Sequence, residues 1–247
     1  MKKVLWQEMR RIEIEEASKV GAVVIIPVGS IEQHGNHLPV NTDINCSFSI
    51  AKATAEIIDD FPVLVVPPIW GGLSPHHMKY PGTISLKLHT YIDVLTEVAT
   101  SIAAHGFKKI AFLNGHGGNI GVMNSIRLKL MENNGPSCIA YTYFRLVDKE
   151  LKAISEVDSV IGHAAEMETS LQLYLQPELV DKGAATWVPG VFGDPTKGTY
   201  EKGKRLFEVA VDTVVMLIQD YHSNKLEDPW DALTWKRNIS PEQRKYT

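Results

Sequence analysis

The segment that decides the fold class is Ala22-Val23-Val24-Ile25-Ile26-Pro27-Val28, near the start of this 247-residue chain. It is a short, uninterrupted apolar run rich in β-branched residues, which is typical of a strand buried on both faces of a sheet. Similar runs recur at residues 63–66, 110–113 and 138–141. The sequence therefore predicts a sheet built from these buried strands.

Helical patterns alternate with the strands. We predict amphipathic helices over about 44–58, 88–105, 120–134, 164–175 and 200–221. Gly106 and Gly135 follow the second and third of these and are typical helix stops. Because strand and helix alternate, the sequence predicts an α/β fold with a largely parallel sheet covered by helices on both sides. Residues 1–247 are predicted to form one domain, with 227–247 as a C-terminal arm packed on this chain or a neighbouring subunit.

Composition excludes several classes of partner. Apolar residues make up 44% of the chain and charged residues 22%, which is typical of a soluble globular protein. The net charge of −4 provides no basic surface for nucleic-acid phosphates or anionic lipids. No stretch approaches the roughly 20 apolar residues of a membrane helix, and the first residues do not form a signal peptide. We expect a cytoplasmic protein that binds neither nucleic acid nor membrane.

Acids and imidazoles follow the first predicted strand, at the edge of an open sheet where ligands bind. If the chain stays extended there, Glu32 and His34 project to the same side because they are two residues apart. Asp43 lies at the start of the next predicted helix. Taken alone, Asp43 also fits a helix cap and His34 a hydrogen-bonded loop histidine.

The third strand is followed by Asn114-Gly115-His116-Gly117-Gly118-Asn119. Glycines of this kind let the backbone approach a ligand closely. A phosphate cradle is the alternative, but the chain lacks the lysine and hydroxyl of GxxxxGK[ST] and has no GxGxxG. The motif therefore favours a metal site that includes His116.

A further polar cluster begins at Gly162-His163, at the start of the helix predicted over about 164–175. On a helix that includes them, His163, Glu166 and Ser170 lie near one face, whereas Glu168 points away. Both glutamates also fit a first helical turn, where acids interact favourably with the helix dipole.

The candidate ligands are two imidazoles and three carboxylates with no thiolate, namely Glu32, His34, Asp43, His116 and Glu166. Such a set suits zinc, manganese or iron(II). Five ligands are too many for one open catalytic ion, so they fit two divalent ions that share a carboxylate.

The ordered motifs resemble those of the creatininase (creatinine amidohydrolase) family over residues 4–221. They are Pro27-Val28-Gly29-Ser30 leading to Glu32-Gln33-His34-Gly35, Leu38-Pro39 and Asp43; Ser74 and His77 ahead of Pro81-Gly82-Thr83; Asn114-Gly115-His116-Gly117-Gly118-Asn119; and His163 with Glu166, Glu168, Thr169 and Ser170. The resemblance implies a three-layer α/β/α sandwich, a two-metal site and a homo-oligomer, often a hexamer.

The resemblance also implies residue roles. One ion would be held by Glu32, Asp43 and His116, and the other by His34, Asp43 and Glu166, with Asp43 bridging. His163 would protonate the leaving nitrogen or, alternatively, only orient a ligand. By the same resemblance Ser74 and His77 would line the substrate pocket, and we also expect Gly117 and Trp187 to bind substrate. The segment 187–194 is expected to be a lid or, alternatively, an ordinary surface loop.

One position separates this chain from enzymes that open creatinine. They carry a glutamate two residues after the third-motif histidine, where this chain has Gly118, and Glu166 is predicted to replace it. The branch with this form is similar to formamide hydrolases of flavin and deazaflavin precursor synthesis, the mycofactocin-maturation peptidase and hydrolases of oxidised inositols. We expect hydrolysis of a C–N bond in a small cyclic amide, formamide or related carbonyl compound by a metal-bridging hydroxide. The alternatives are a keto-inositol hydrolase and a non-catalytic α/β ligand-binding module.

Overall fold

The structure, a computed structural model, describes residues 2–157 and 160–226. Its strands are β1 (Val23–Val28), β2 (Val63–Val65), β3 (Lys109–Asn114) and β4 (Cys138–Thr142). They form one parallel sheet in the order β2-β1-β3-β4. Each predicted strand is present within one residue of its expected bounds. The predicted arm at 227–247 lies outside the described residues.

The α-helices of the described residues are α1 (Arg11–Lys19), α2 (Thr42–Ile57), α3 (Leu88–Ala104), α4 (Ile120–Glu132), α5 (Tyr143–Leu146), α6 (Asp148–Ile154), α7 (Glu166–Leu175) and α8 (Tyr200–His222). The five predicted helices correspond to α2, α3, α4, α7 and α8. Within the described residues, no helix combines the length and apolarity that a membrane crossing requires.

The structure adds α1, α5 and α6, which the sequence pattern did not predict. In α1, Ile12 and Ile14 alternate with glutamates in a way that is typical of a strand. Glu15 nevertheless pairs with Arg11 at 3.1 Å and with Lys19 at 2.7 Å, both four residues away. Such i,i+4 pairs favour a helix.

Side chains of β1 alternate between two hydrophobic cores. Val23 and Ile25 pack in the core that contains residues of α2, α7 and α8. Val24 and Ile26 pack in the core that contains residues of α3 and α4. Because both faces of the sheet are covered in this way, the predicted α/β/α sandwich is confirmed.

The register of the sheet brings two of the polar motifs together. The last residue of β1, Val28, pairs with the last residue of β3, Asn114. The loops that follow these strands therefore leave the sheet side by side, at its carboxyl edge. The helix α7 packs against both α2 and α8, which brings the fourth motif to the same edge.

Candidate active site

Four of the predicted ligands meet at the carboxyl edge of the sheet, and all four are buried. Nδ1 of His116 lies 2.8 Å from Oδ2 of Asp43 and 3.3 Å from Oε1 of Glu32. Nε2 of His34 lies 3.3 Å from Oδ1 of Asp43. Asp43 thus stands between the two imidazoles, with one oxygen toward each.

The other nitrogen of each imidazole is hydrogen-bonded to a backbone carbonyl. Nε2 of His116 is 3.0 Å from the carbonyl of Leu73, and Nδ1 of His34 is 3.1 Å from the carbonyl of Glu32. Since a carbonyl only accepts, we assign the proton of each neutral ring to that side. In the neutral form, which a bound cation would select, the nitrogens that face Asp43 carry lone pairs, as in many metal sites.

Several buried atoms at the centre of the cluster lack a hydrogen-bond partner within the described residues. These atoms are the two carboxylate oxygens of Glu32, Nε2 of His34 and Oδ2 of Asp43. The contact of Asp43 Oδ2 with His116 is short, at 2.8 Å, but lacks hydrogen-bond geometry. Burying unpaired polar atoms is costly. Lone pairs that face one another in this way fit divalent cations placed between them.

The electrostatics of the cluster support the same conclusion. Burial alone would lower the pKa values of His116 and His34. The facing carboxylates instead raise the pKa of His116 to about 10 and the pKa of His34 well above its usual range. Burial would raise the pKa of Asp43, but the two imidazoles hold it well below its usual range. The facing carboxylates that raise these pKa values would equally favour a bound divalent cation.

The structure does not bring Glu166 into this cluster. Its buried carboxylate accepts hydrogen bonds from Ser155 Oγ at 2.6 Å and from the backbone N–H groups of Glu156 and Val157 at 2.8 and 3.1 Å. It also pairs with Lys202 of α8 at 2.7 Å. The prediction that Glu166 is a ligand is therefore corrected, because its carboxylate is already used to bind this neighbouring loop.

Glu168 provides the third carboxylate instead. Its Oε2 lies 3.7 Å from Nε2 of His34 and accepts the backbone N–H of Ala164 at 2.5 Å. Donor atoms of His34, His163 and Glu168 lie within 4.8 Å of one another, a spacing that can hold an ion. Glu168, rather than Glu166, therefore lies beside the cluster.

The wrong choice between the two glutamates has a local cause. The prediction placed His163 on the same helix, but α7 begins only at Glu166. Ala164 has a positive φ of 51° and Ala165 is extended, so the chain turns sharply between the histidine and the helix. The i,i+3 relation between His163 and Glu166 therefore does not hold.

Gly118 has no room for a side chain. A Cβ atom there would lie 2.2 Å from the carbonyl of Leu73 and 2.5 Å from Nε2 of His116. A glutamate at this position would displace the carbonyl that holds His116. The third carboxylate beside the cluster comes from another segment, since Glu168 faces His34.

His163 stands at the edge of the cluster. Its Nε2 is 2.8 Å from the carbonyl of Gln33, so its proton is assigned to Nε2, and its bare Nδ1 lies 3.4 Å from Oε1 of Glu32. Burial, together with the nearby His34, lowers the pKa of His163. The ring is therefore a neutral base at pH 7, with its lone pair toward the cluster.

A cavity of about 310 Å³ opens over the cluster. Of the predicted substrate-binding residues, His77 and Gly117 line it. Ser74 is buried and lies 2.6 Å from Ser30 Oγ and 3.2 Å from His116 Nε2, so it supports a ligand rather than lining the cavity.

Trp187 is not among the lining residues and is 64% exposed. Its predicted place in the cavity wall is taken by Phe192 of the same loop, because His163 and Phe192 exchange backbone hydrogen bonds of 3.0 and 2.9 Å. The loop therefore forms a wall of the cavity.

Sequence reasoning missed the roles of Glu168, Gln33 and Phe192. Glu168 and Gln33 both lie inside quoted motifs, beside residues that were selected. Their positions in those motifs indicated that they lie near the site. The spacing of residues along the chain does not show in which direction each side chain points.

The profile of the creatininase family, described as creatinine amidohydrolase, matches residues 7–189. The chain belongs to the creatininase family. It is 31% identical to the mycofactocin precursor peptide peptidase of Mycobacterium tuberculosis, over 78% of this chain and 82% of that protein. It is 27% identical to the creatinine amidohydrolase of Pseudomonas putida, over 80% and 89%. This family member is a metal-dependent amidohydrolase.

The fold agrees with solved structures of the family. A crystal structure of creatinine amidohydrolase superposes with a TM-score of 0.79 at 26% identity, covering 90% of this chain and 99% of that one. Creatininase structures include a manganese form and a zinc–zinc form of a variant.

Proposed function

We propose that this protein uses two divalent ions to hydrolyse a C–N bond in a small cyclic amide, a formamide or a related carbonyl compound. The observation that carries the proposal is the buried cluster in which imidazole nitrogens and unpaired carboxylate oxygens face one another below an open cavity. In this proposal one ion would be held by Glu32, Asp43 and His116, and the second by His34, Asp43 and Glu168.

The ions, zinc, manganese or iron(II), would supply an acidified water and a Lewis acid for the carbonyl oxygen. The role of the protein is to hold the metal-binding side chains in the right orientation. The carbonyls of Leu73 and Glu32 hold the two imidazoles in the tautomer that leaves their facing nitrogens free. Outer partners of this kind raise metal affinity and fix geometry.

His163 is the proposed proton carrier. Its Nδ1 lies at the cluster, where it can take the proton released by water and return it to the departing nitrogen. Gln33 keeps the opposite nitrogen protonated through its backbone carbonyl. The lowered pKa of His163 keeps Nδ1 free to accept at neutral pH.

The cavity walls restrict the substrate. Apolar side chains of Phe144, Ile161 and Phe192 line it, and neither lysine nor arginine occurs among the lining residues that the structure describes. Such walls favour a substrate whose reacting end is uncharged. This supports an amide, formamide or peptide-like end over a phosphorylated one.

The proposal is tested by a hydrolysis screen of the metal-loaded protein against creatinine, formamidopyrimidines, short peptides and keto-inositols. Turnover of a C–N bond that stops on metal removal and returns on reloading supports it. Opening of a keto-inositol with no C–N hydrolysis would favour the alternative family activity. Fewer than two ions per chain without turnover would favour a non-catalytic binding module.

The role of His163 is tested separately with His163→Asn. We expect two ions to remain and kcat to fall about 10²-fold. A leaving group that needs no proton should partly restore the rate. Loss of metal in step with activity would instead show that His163 supports a ligand.

A further inference from the structure

The side-chain amide of Gln33 lies between the two histidines that wall the cavity. Its orientation is fixed at both ends by backbone groups. Its nitrogen donates to the carbonyl of Gly190 at 2.8 Å, and its oxygen accepts the N–H of Gly35 at 3.0 Å. A flipped amide would place donor against donor and acceptor against acceptor, so the nitrogen must face the histidines.

The amide nitrogen has two hydrogens and three neighbours. One hydrogen goes to Gly190, while Nδ1 of His77 and Nε2 of His163 each lie 3.0 Å away. Nε2 of His163 already carries a proton, because it donates to the carbonyl of Gln33 at 2.8 Å. The second amide hydrogen therefore goes to Nδ1 of His77, which accepts it.

This assignment fixes the tautomer of His77. A neutral imidazole carries one proton, and since Nδ1 accepts, the proton is on Nε2. The ring lines the cavity and stacks on His163 with centroids 4.3 Å apart. In the described part of the chain, Nε2 of His77 has no hydrogen-bond partner. The nitrogens that are not bonded to Gln33 therefore differ between the two stacked rings. Nε2 of His77 carries a proton that it can donate, whereas Nδ1 of His163 carries a lone pair.

We propose that His77 is a catalytic residue whose Nε2–H donates a hydrogen bond to the substrate carbonyl oxygen as negative charge develops there, and that Gln33 is the positioning residue that holds this tautomer. The inference rests on the proposed function and adds an oxyanion donor to it. His77 keeps its proton throughout, so no bond to it forms or breaks. A neutral donor of this kind stabilises the transition state more than the ground state.

The environment of His77 keeps it neutral. Burial, with the neighbouring His163, lowers the pKa of His77 to about 4. The ring therefore has a single proton at pH 7, and the amide of Gln33 decides which nitrogen carries it.

The first test reads the tautomer directly by ¹⁵N NMR of the imidazole rings in the zinc-loaded protein, with the His77 signals assigned by their loss in His77→Gln. We expect a bare Nδ1 and a protonated Nε2 in the wild type. In Gln33→Glu, a carboxylate faces Nδ1 and can only accept, so Nδ1 should become protonated. A protonated Nδ1 in wild-type protein, or no change in Gln33→Glu, would overturn the assignment.

The second test is kinetic. Removal of one oxyanion donor costs about 10²–10³-fold in kcat. We expect a loss of that size in His77→Phe, with KM changed less than about threefold and two ions retained. His77→Gln, whose amide nitrogen can reach the position of Nε2, should recover part of the rate. His89→Phe, which alters an exposed histidine at the start of α3, is the matched control.

The outcomes separate this inference from the proposed function. Wild-type turnover with an unimpaired His77→Phe overturns the role of His77 alone. A loss in His77→Phe that comes from KM rather than kcat overturns the oxyanion role, since it indicates ground-state binding only. Absence of wild-type turnover on every substrate overturns the proposed function, while the NMR result still decides the tautomer.

Discussion

Glutamine substitutions at Glu166 and Glu168, two residues apart on α7, should have opposite effects. Burial would raise the pKa of Glu166, but Lys202, Ser155 and two backbone N–H groups lower it to about 2 from an ordinary 4.5. A shift of that size corresponds to about 3 kcal/mol of folding free energy at neutral pH. The carboxylate is buried, but its partner Lys202 also pairs with the exposed Glu156, so about 3 kcal/mol is an upper bound.

Glu166→Gln should therefore lower the free energy of unfolding by up to about 3 kcal/mol at pH 7, because glutamine keeps one acceptor oxygen but not the charge. For a chain of this size, that lowers Tm by about 6–12 °C. Both ions should remain bound. Glu168→Gln should lose one ion, because it removes the carboxylate that faces His34.

The contribution of Glu166 has a defined pH window. Because the folded-state pKa is below the unfolded one, the stabilisation is present above about pH 4.5 and is lost as pH falls toward about 2. Thermal unfolding of the metal-free protein from pH 7 to pH 2.5 should show this loss in the wild type and less of it in Glu166→Gln. Elemental analysis of both variants at pH 7 completes the assay. Loss of an ion with unchanged Tm in Glu166→Gln would refute the assignment of the two glutamates.

Three further outcomes are expected. Asp43→Ala should remove both ions, because Asp43 alone faces both imidazoles, and metal counts that stay at two would contradict the bridging role. Turnover should stop on exhaustive chelation and decline at acid pH, since imidazoles must be unprotonated to bind metal, and a chelator titration with pH–rate profiles measures both. Gly203→Ala should destabilise the protein by several kcal/mol in urea unfolding, because its Cβ would lie 1.8 Å from the carbonyl of Ser170. Gly121→Ala, whose Cβ would have nothing within 4 Å, should be neutral or stabilising by up to about 1 kcal/mol in the same assay.

Much of the fold was predictable because it depends on local patterns. β-Branched runs such as Val23–Val28 bury both faces of a strand whatever their neighbours are, and amphipathic periods outline α3 and α8. The helix α1 was missed because Ile12 and Ile14 repeat with the period of a strand, while the ion pairs that favour a helix lie four residues apart.

Part of the site was predictable for a related reason. Parallel strands end at one edge of a sheet, so polar residues directly after β1 and β3 had to meet there. Glu32, His34, Asp43 and His116 were found in this way. Their residue types alone made them candidate ligands of a divalent cation.

The tertiary structure decided between Glu166 and Glu168. The positive φ of Ala164 sets where α7 begins, and the packing of α7 on α8 places Lys202 against one glutamate and leaves the other facing His34. Both effects depend on contacts between distant segments, which spacing along the chain does not encode.

The sequence by itself determined the sheet, the layers and most residues of the buried polar cluster, because hydrophobic period and position after a strand are local properties. Only the tertiary structure decided which carboxylate completes the cluster and which nitrogen of each histidine carries its proton. The hydrogen bonds of Gln33, through its side-chain amide and its backbone carbonyl, reach residues 44, 130 and 157 positions away along the chain. A tautomer depends on which donor or acceptor lies within 3 Å, and that is known only when such segments are packed together.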